Sequence, residues 1–306
     1  MHRSHPRRVV LLLAAALVLA LPVGVIAQEG TPTEAPATPT PSGSRVDIGG
    51  RALFISCVGT GSPTVVLEAG GGNSAETWAG VQPEIARFTR VCSYDRAGLG
   101  QSDPAPAGVR TVQDSVDDLH ALLDAAGVSG PYVLIGHSFG GLIVRLYASQ
   151  YPDDVAGLVL VDAMPPDFLA SGLALLPPAE RQETFAIMRG LHPQDPEHLD
   201  IIASGVWVMA HPPALVPTVV LAAGLHGAPD APPDPAFEEL WAELQREQAR
   251  ALDARLLSVP EGDHFLQLDR PELVIEAIRQ VVEAVRDPGS WVASPSESHA
   301  AGTPVA

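Results

Sequence analysis

Short apolar runs recur along this chain at residues 53–58, 64–67, 91–94, 132–135, 157–161, 218–221 and 255–259, and helical patterns separate them. No other feature restricts the fold as much. Strands alternating with helices are joined by crossovers, which keep the strands parallel and cover both faces of the sheet. The pattern predicts an α/β fold, a mostly parallel twisted sheet with helices on both faces. Thr111 can cap one helix, with Val112, Val116, Leu119 and Leu122 or Leu123 on its apolar side and Gly127 as its stop. Pro271 suits the first turn of another, in which Leu273, Val274, Ala277, Ile278, Val281 and Val285 repeat at helical spacing. Between residues 163 and 215 the alternation lapses, and two helices are predicted, around 179–189 and 197–210, with no strand between them. An insertion there would lie over the strand ends, as a small helical lid controlling substrate choice or as a decorative excursion.

The run at 132–135 leads into Gly136-His137-Ser138-Phe139-Gly140, after which 141–148 turn helical. A serine on so sharp a turn needs small residues two positions either side, because side chains at Gly136 and Gly140 would collide where strand and helix approach. The pattern predicts Ser138 as a nucleophile held above the sheet edge. The Phe139 amide then opens a helix whose positive end favours an oxyanion. The plain alternative is a glycine-rich turn with an incidental serine.

The two ends of the 306-residue chain read differently from its middle. His2, Arg3, His5, Arg7 and Arg8, the apolar stretch 9–21 and Val25-Ile26-Ala27 have the form of a cleavable signal peptide at 1–27, with an uncleaved anchor as the alternative. Residues 28–44 and 287–306 are poor in apolar periodicity and are expected to be disordered, which leaves 45–286 as one α/β domain with the lid at 163–215. The expectation is a secreted or extracytoplasmic protein without stable membrane insertion once the leader is removed. Eighteen arginines, no lysine and 36 acids give a net charge of −18 at pH 7. So negative a surface repels nucleic acid and anionic lipid, and nucleic-acid binding is excluded as a function class.

Several stretches, in order, resemble the α/β-hydrolase superfamily, and within it exported members related to serine esterases. They are Leu67-Glu68-Ala69-Gly70-Gly71-Gly72-Asn73, Tyr94-Asp95-Arg96-Ala97-Gly98-Leu99-Gly100-Gln101-Ser102-Asp103, the serine turn itself, Val161-Asp162-Ala163 and Gly262-Asp263-His264-Phe265. The resemblance implies an exported serine hydrolase that cleaves a small-molecule carboxylic ester through an acyl-enzyme, with no cofactor and no metal. It implies that Ser138 attacks and that His264, in the loop before the last helix, moves the proton.

Chain order in such proteins runs serine, acid, histidine. The commoner place for the acid follows 218–221, where this chain has Ala222-Ala223-Gly224-Leu225-His226 and offers only the displaced Asp230. Asp162, at the end of the strand after the nucleophile's own, is the favoured acid. Asp230 remains its rival, and a structural carboxylate at Asp162 remains open. Asp263 is set aside because adjacent side chains diverge.

The resemblance also implies oxyanion donors at Gly71 and Phe139, with a plain glycine turn as the alternative at Gly71. His137 is expected to be structural and to point away from the nucleophile, and Asp95, Arg96 and Asp103 to brace the strand ends. The family's sheet order sets the strand of Cys57 antiparallel beside that of Cys92, which implies a disulfide in an oxidising compartment, against two buried thiols. His192, His198, His211 and His226 lack metal-ligand spacing. Relatives on the same fold include peptidases, lactonases and haloperoxidases, and a non-catalytic ligand-binding protein is the alternative of a different class.

Overall fold

The computed structural model describes residues 43–175, 178–190, 195–227 and 233–291. The expected leader, most of 28–44 and most of 287–306 lie outside the described residues. Eight strands make one sheet: β1 (Ser44–Asp47), β2 (Ala52–Val58), β3 (Thr64–Glu68), β4 (Val91–Tyr94), β5 (Tyr132–His137), β6 (Val155–Val161), β7 (Thr218–Leu225) and β8 (Arg255–Asp263). Their order is β1-β2-β4-β3-β5-β6-β7-β8. The six strands from β4 to β8 are parallel, and β2 runs antiparallel between β1 and β4. The longer helices are α1 (Val112–Ala125), α2 (Gly140–Gln150), α3 (Phe168–Leu175), α4 (Pro178–Ile187), α5 (Ile201–Ala210), α6 (Pro235–Ala251) and α7 (Pro271–Arg286).

Each of the seven apolar runs is a strand. β1 carries no such run, because it is an edge strand with three of its four residues exposed, and it starts at Ser44, inside the stretch expected to be disordered. Among the described residues the insertion holds three helices rather than two. The extra one, α3, reads Phe-Leu-Ala-Ser-Gly-Leu-Ala-Leu and has no polar stripe for a periodicity argument to find. α6, also unanticipated, starts where Asp234 accepts from the amides of Ala236 and Phe237 and Pro235 takes the first turn.

Alternate residues of each inner strand enter opposite layers. Val66, Leu134, Leu158 and Leu160 pack with Leu119 and Leu122 of α1, Leu142 and Leu146 of α2, and Trp241 and Leu244 of α6. Val65, Leu67, Val133, Ile135, Val159 and Val161 pack with Trp78, Ile85, and Val274, Ile278 and Val281 of α7. Burying each such side chain stabilises the fold by roughly 1.5–3 kcal/mol.

Cys57 of β2 lies directly opposite Cys92 of β4, and the two are joined in a disulfide. No helix among the described residues is long and apolar enough to cross a membrane.

Candidate active site

The parallel strands end along one edge of the sheet, and register fixes who meets whom. Glu68 pairs with Gly136, His137 with Val161, and Leu225 with Asp263. Neighbouring strands lie about 4.8 Å apart. The loops carrying Gly70 to Gly72, Ser138, Asp162, His226 and His264 therefore emerge side by side.

Ser138 sits between β5 and α2 with φ at 51°, a left-handed conformation that few side-chain-bearing residues adopt. Close packing imposes it: a Cβ at Gly136 would stand 2.6 Å from the Gly140 carbonyl oxygen, and one at Gly140 the same distance from that of Ala69. The Ser138 carbonyl accepts from the amides of Gly141 at 3.0 Å and Met164 at 2.9 Å, which clamps the turn. The amides of Phe139 and Gly71 donate to no other group among the described residues. A Cβ at Gly70 would lie 3.2 Å from that of Ser138, so the glycine loop borders the serine.

That loop is held from beneath. The buried guanidinium of Arg96 donates to the carbonyls of Ala69 at 2.7 Å and Gly70 at 2.6 Å. It also pairs with Glu68 and grips Glu197 through two nitrogens, at 2.6 and 3.0 Å. Glu197 comes from the insertion and accepts the Gly72 amide at 2.6 Å. Asp95 accepts the amides of Ala75 and Gln101, and Asp103 that of Ala52.

Asp162, at the tip of β6 with φ at 40°, is completely buried. Its Oδ1 accepts from the Ala223 amide at 2.9 Å and Trp241 Nε1 at 2.8 Å. Its Oδ2 meets His226 Nε2 at 2.7 Å and His264 Nδ1 at 2.6 Å. Burial alone would favour the neutral acid, but the two histidines hold this carboxyl far below the ordinary carboxylate range. A carboxylate only accepts, so His264 carries a proton on Nδ1 and donates it to Asp162. Asp230, the rival acid, lies outside the described residues.

His137 is buried, and its Nε2 donates to the carbonyl oxygen of His264 at 2.9 Å. Burial and the neighbouring His264 push its pKa down to about 3, so it braces the His264 loop as a neutral ring. Asp263 points outward and accepts the Phe265 amide.

His226 departs from its reading as one of several scattered histidines. It is buried at the end of β7, with Nδ1 2.7 Å from Glu238 Oε2 and its backbone amide 2.7 Å from Glu238 Oε1. Sequence reasoning missed His226, Glu238, Trp241 and Glu197. The signal for the first was its place, the position after β7 where the acid was sought. Glu238 and Trp241 needed α6, for which Asp234-Pro235 was a legible start.

Asp162, His226 and His264 bring three ligand atoms within 4.8 Å of one another. The 2.6 and 2.7 Å separations are those of hydrogen bonds. Donors around one ion at about 2.0–2.1 Å stand farther apart, at roughly 3.3 Å.

Residues 63–187 match the family described as alpha/beta hydrolase fold. A thermophilic esterase from Thermogutta terrifontis superposes with a TM-score of 0.53 at 23% identity, covering 79% of this chain and 98% of that one. This chain has the α/β-hydrolase fold. Among curated relatives, "Probable transporter efuK" of Hormonema carpetanum is 37% identical over 124 residues, 38% of this chain and 18% of the relative. "Uncharacterized protein YqjL" of Bacillus subtilis is 40% identical over 104 residues, 34% of this chain and 41% of the relative. The chain spans less than half the length of either. In α/β-hydrolase terms, the serine turn follows β5 and the histidine loop follows β8, the last strand.

Proposed function

We propose that the protein is an exported serine hydrolase that cleaves small carboxylic esters, with Ser138, His264 and Asp162 as its triad. The observation that carries this reading is the 2.6 Å bond from His264 Nδ1 to a saturated, buried carboxylate, beside a serine held on a strained turn. Ser138 Oγ attacks the acyl carbon and gives its proton to His264 Nε2. The carbonyl oxygen takes up the negative charge and accepts from the Gly71 and Phe139 amides. As the carbonyl re-forms, the ester C–O bond breaks and His264 protonates the departing alcohol. Water, deprotonated by the same imidazole, then releases the acid and restores Ser138. Asp162 holds the tautomer and offsets the charge His264 acquires.

Export is supported by the leader-like first 27 residues and by the Cys57–Cys92 disulfide, which suits an oxidising compartment. The insertion of α3 to α5 is read as a lid that selects substrate, which the reach of Glu197 from it to the Gly72 amide supports. The test is a serine-directed fluorophosphonate together with a panel of esters, amides and lactones. Labelling at Ser138 with ester turnover is expected. A folded protein that neither labels nor turns over any substrate would be a ligand-binding protein, and preference for amides would reassign it to the peptidases.

A further inference from the structure

Asp162 serves two histidines, and one of them has no part in the chemistry proposed above. His226 is enclosed on both ring nitrogens by carboxylate oxygens, at 2.7 Å from Glu238 and 2.7 Å from Asp162. Neither carboxylate can donate, so both nitrogens carry protons and the ring is an imidazolium. The titratable groups facing it are Asp162 from the end of β6, Glu238 from α6 and His264 from the loop after β8. His137, from the end of β5, faces His264 as a further titratable ring. Phe237 and Trp241 of α6 wall the imidazole from water, with ring centroids at 5.3 and 4.9 Å.

We propose that His226 is a positioning residue of the triad: clamped by Glu238, it fixes the carboxylate that His264 uses and, as a resident cation, limits how strongly that carboxylate raises the basicity of His264. This rests on the triad reading. The chain alternates in sign, Glu238 negative, His226 positive, Asp162 negative, and ends at His264, whose ring centroid is 5.5 Å from that of His226. An acid answering to one histidine would stabilise the His264 cation fully. Here part of its field is spent on His226, so a cation at His264 is stabilised less than it would be beside an acid of its own. The direction in which His226 is shifted agrees: burial opposes its charge, yet Asp162 and Glu238 outweigh burial and push it up to about 9.

The test is a titration of the histidine side chains by ¹⁵N NMR in the intact protein, wild type, Glu238→Gln and His226→Gln, alongside the pH profile of kcat/KM. In the wild type, both ring nitrogens of His226 should be protonated at neutral pH. Glu238→Gln should lower the His226 midpoint by about one pH unit or more, and His226→Gln should raise that of His264, with the acid limb of kcat/KM, by about one pH unit. A neutral His226 at pH 7 in the wild type would overturn the proposal. So would a His264 midpoint in folded His226→Gln that stays put or falls, the result of a merely structural contact. If His226→Gln does not fold, the wild type and Glu238→Gln decide. The NMR readout needs no turnover, so loss of the hydrolase reading would show as absent labelling at Ser138 while the His226 titration still stood.

Discussion

Ser138 and Asp162 are both non-glycine residues with left-handed backbone, at φ of 51° and 40°, each at a strand tip that feeds the candidate site. Such conformations cost on the order of 1–3 kcal/mol apiece and persist only where the surroundings enforce them. At Ser138 the enforcing contacts are Gly136 and Gly140; at Asp162 they are four donors on one carboxylate. Ser138→Ala removes a single oxygen from this frame. Ester kcat should fall at least a thousandfold with an unchanged circular dichroism spectrum. Asp162→Asn should be worse behaved, losing about three to four orders of magnitude in kcat. Urea unfolding should show lost stability as well, because an amide leaves the buried His226 cation facing a group that no longer balances it. A variant that kept kcat within tenfold would move the acid elsewhere, to Asp230 first.

Elements divide the work between holding the site and selecting for it. The insertion between β6 and β7 was expected to govern substrate choice rather than chemistry, yet Glu197 within it accepts the Gly72 amide and the Arg96 guanidinium and so supports the glycine loop proposed to hold the oxyanion. Glu197→Gln should therefore lower kcat by about tenfold or more with a smaller change in KM, measured on one small ester, since it loosens donors that act on the transition state. The opposite split would return the insertion to a role in binding only. On the far side of the sheet, the disulfide staples β2 to β4 across a sequence separation of 35 residues. Replacing both cysteines by serine should cost on the order of 3–4 kcal/mol in denaturant unfolding, from the freedom regained by the unfolded chain, and leave ester turnover per folded molecule unchanged.

For the whole molecule, two buried histidines pull stability in opposite directions along the pH axis. His226 rises from 6.5 to about 9 on folding, so its contribution is complete below 6.5 and disappears as pH climbs through 9. His137 falls from 6.5 to about 3, so its contribution is complete above 6.5 and is lost as pH drops toward 3. Urea midpoints should peak near neutrality, with an alkaline decline of up to about 3 kcal/mol that flattens in His226→Gln. A midpoint that keeps rising between pH 6.5 and 9 would contradict this reading of His226. The fold was legible because it depends on local pattern: the apolar runs, the glycine turn at Ser138 and the Pro271 helix each declare themselves within a few residues. β1 escaped because an exposed edge strand buries little and needs no apolar run, and α3 because it is apolar nearly all round. Ser138, Asp162 and His264 could be named from their positions after strands. Which histidines meet Asp162, and that Glu197 reaches the Gly72 amide, depends on groups 64, 102 and 125 residues apart in sequence. No local pattern encodes such distances; sheet register and helix packing create them, and with them the charge each buried group carries.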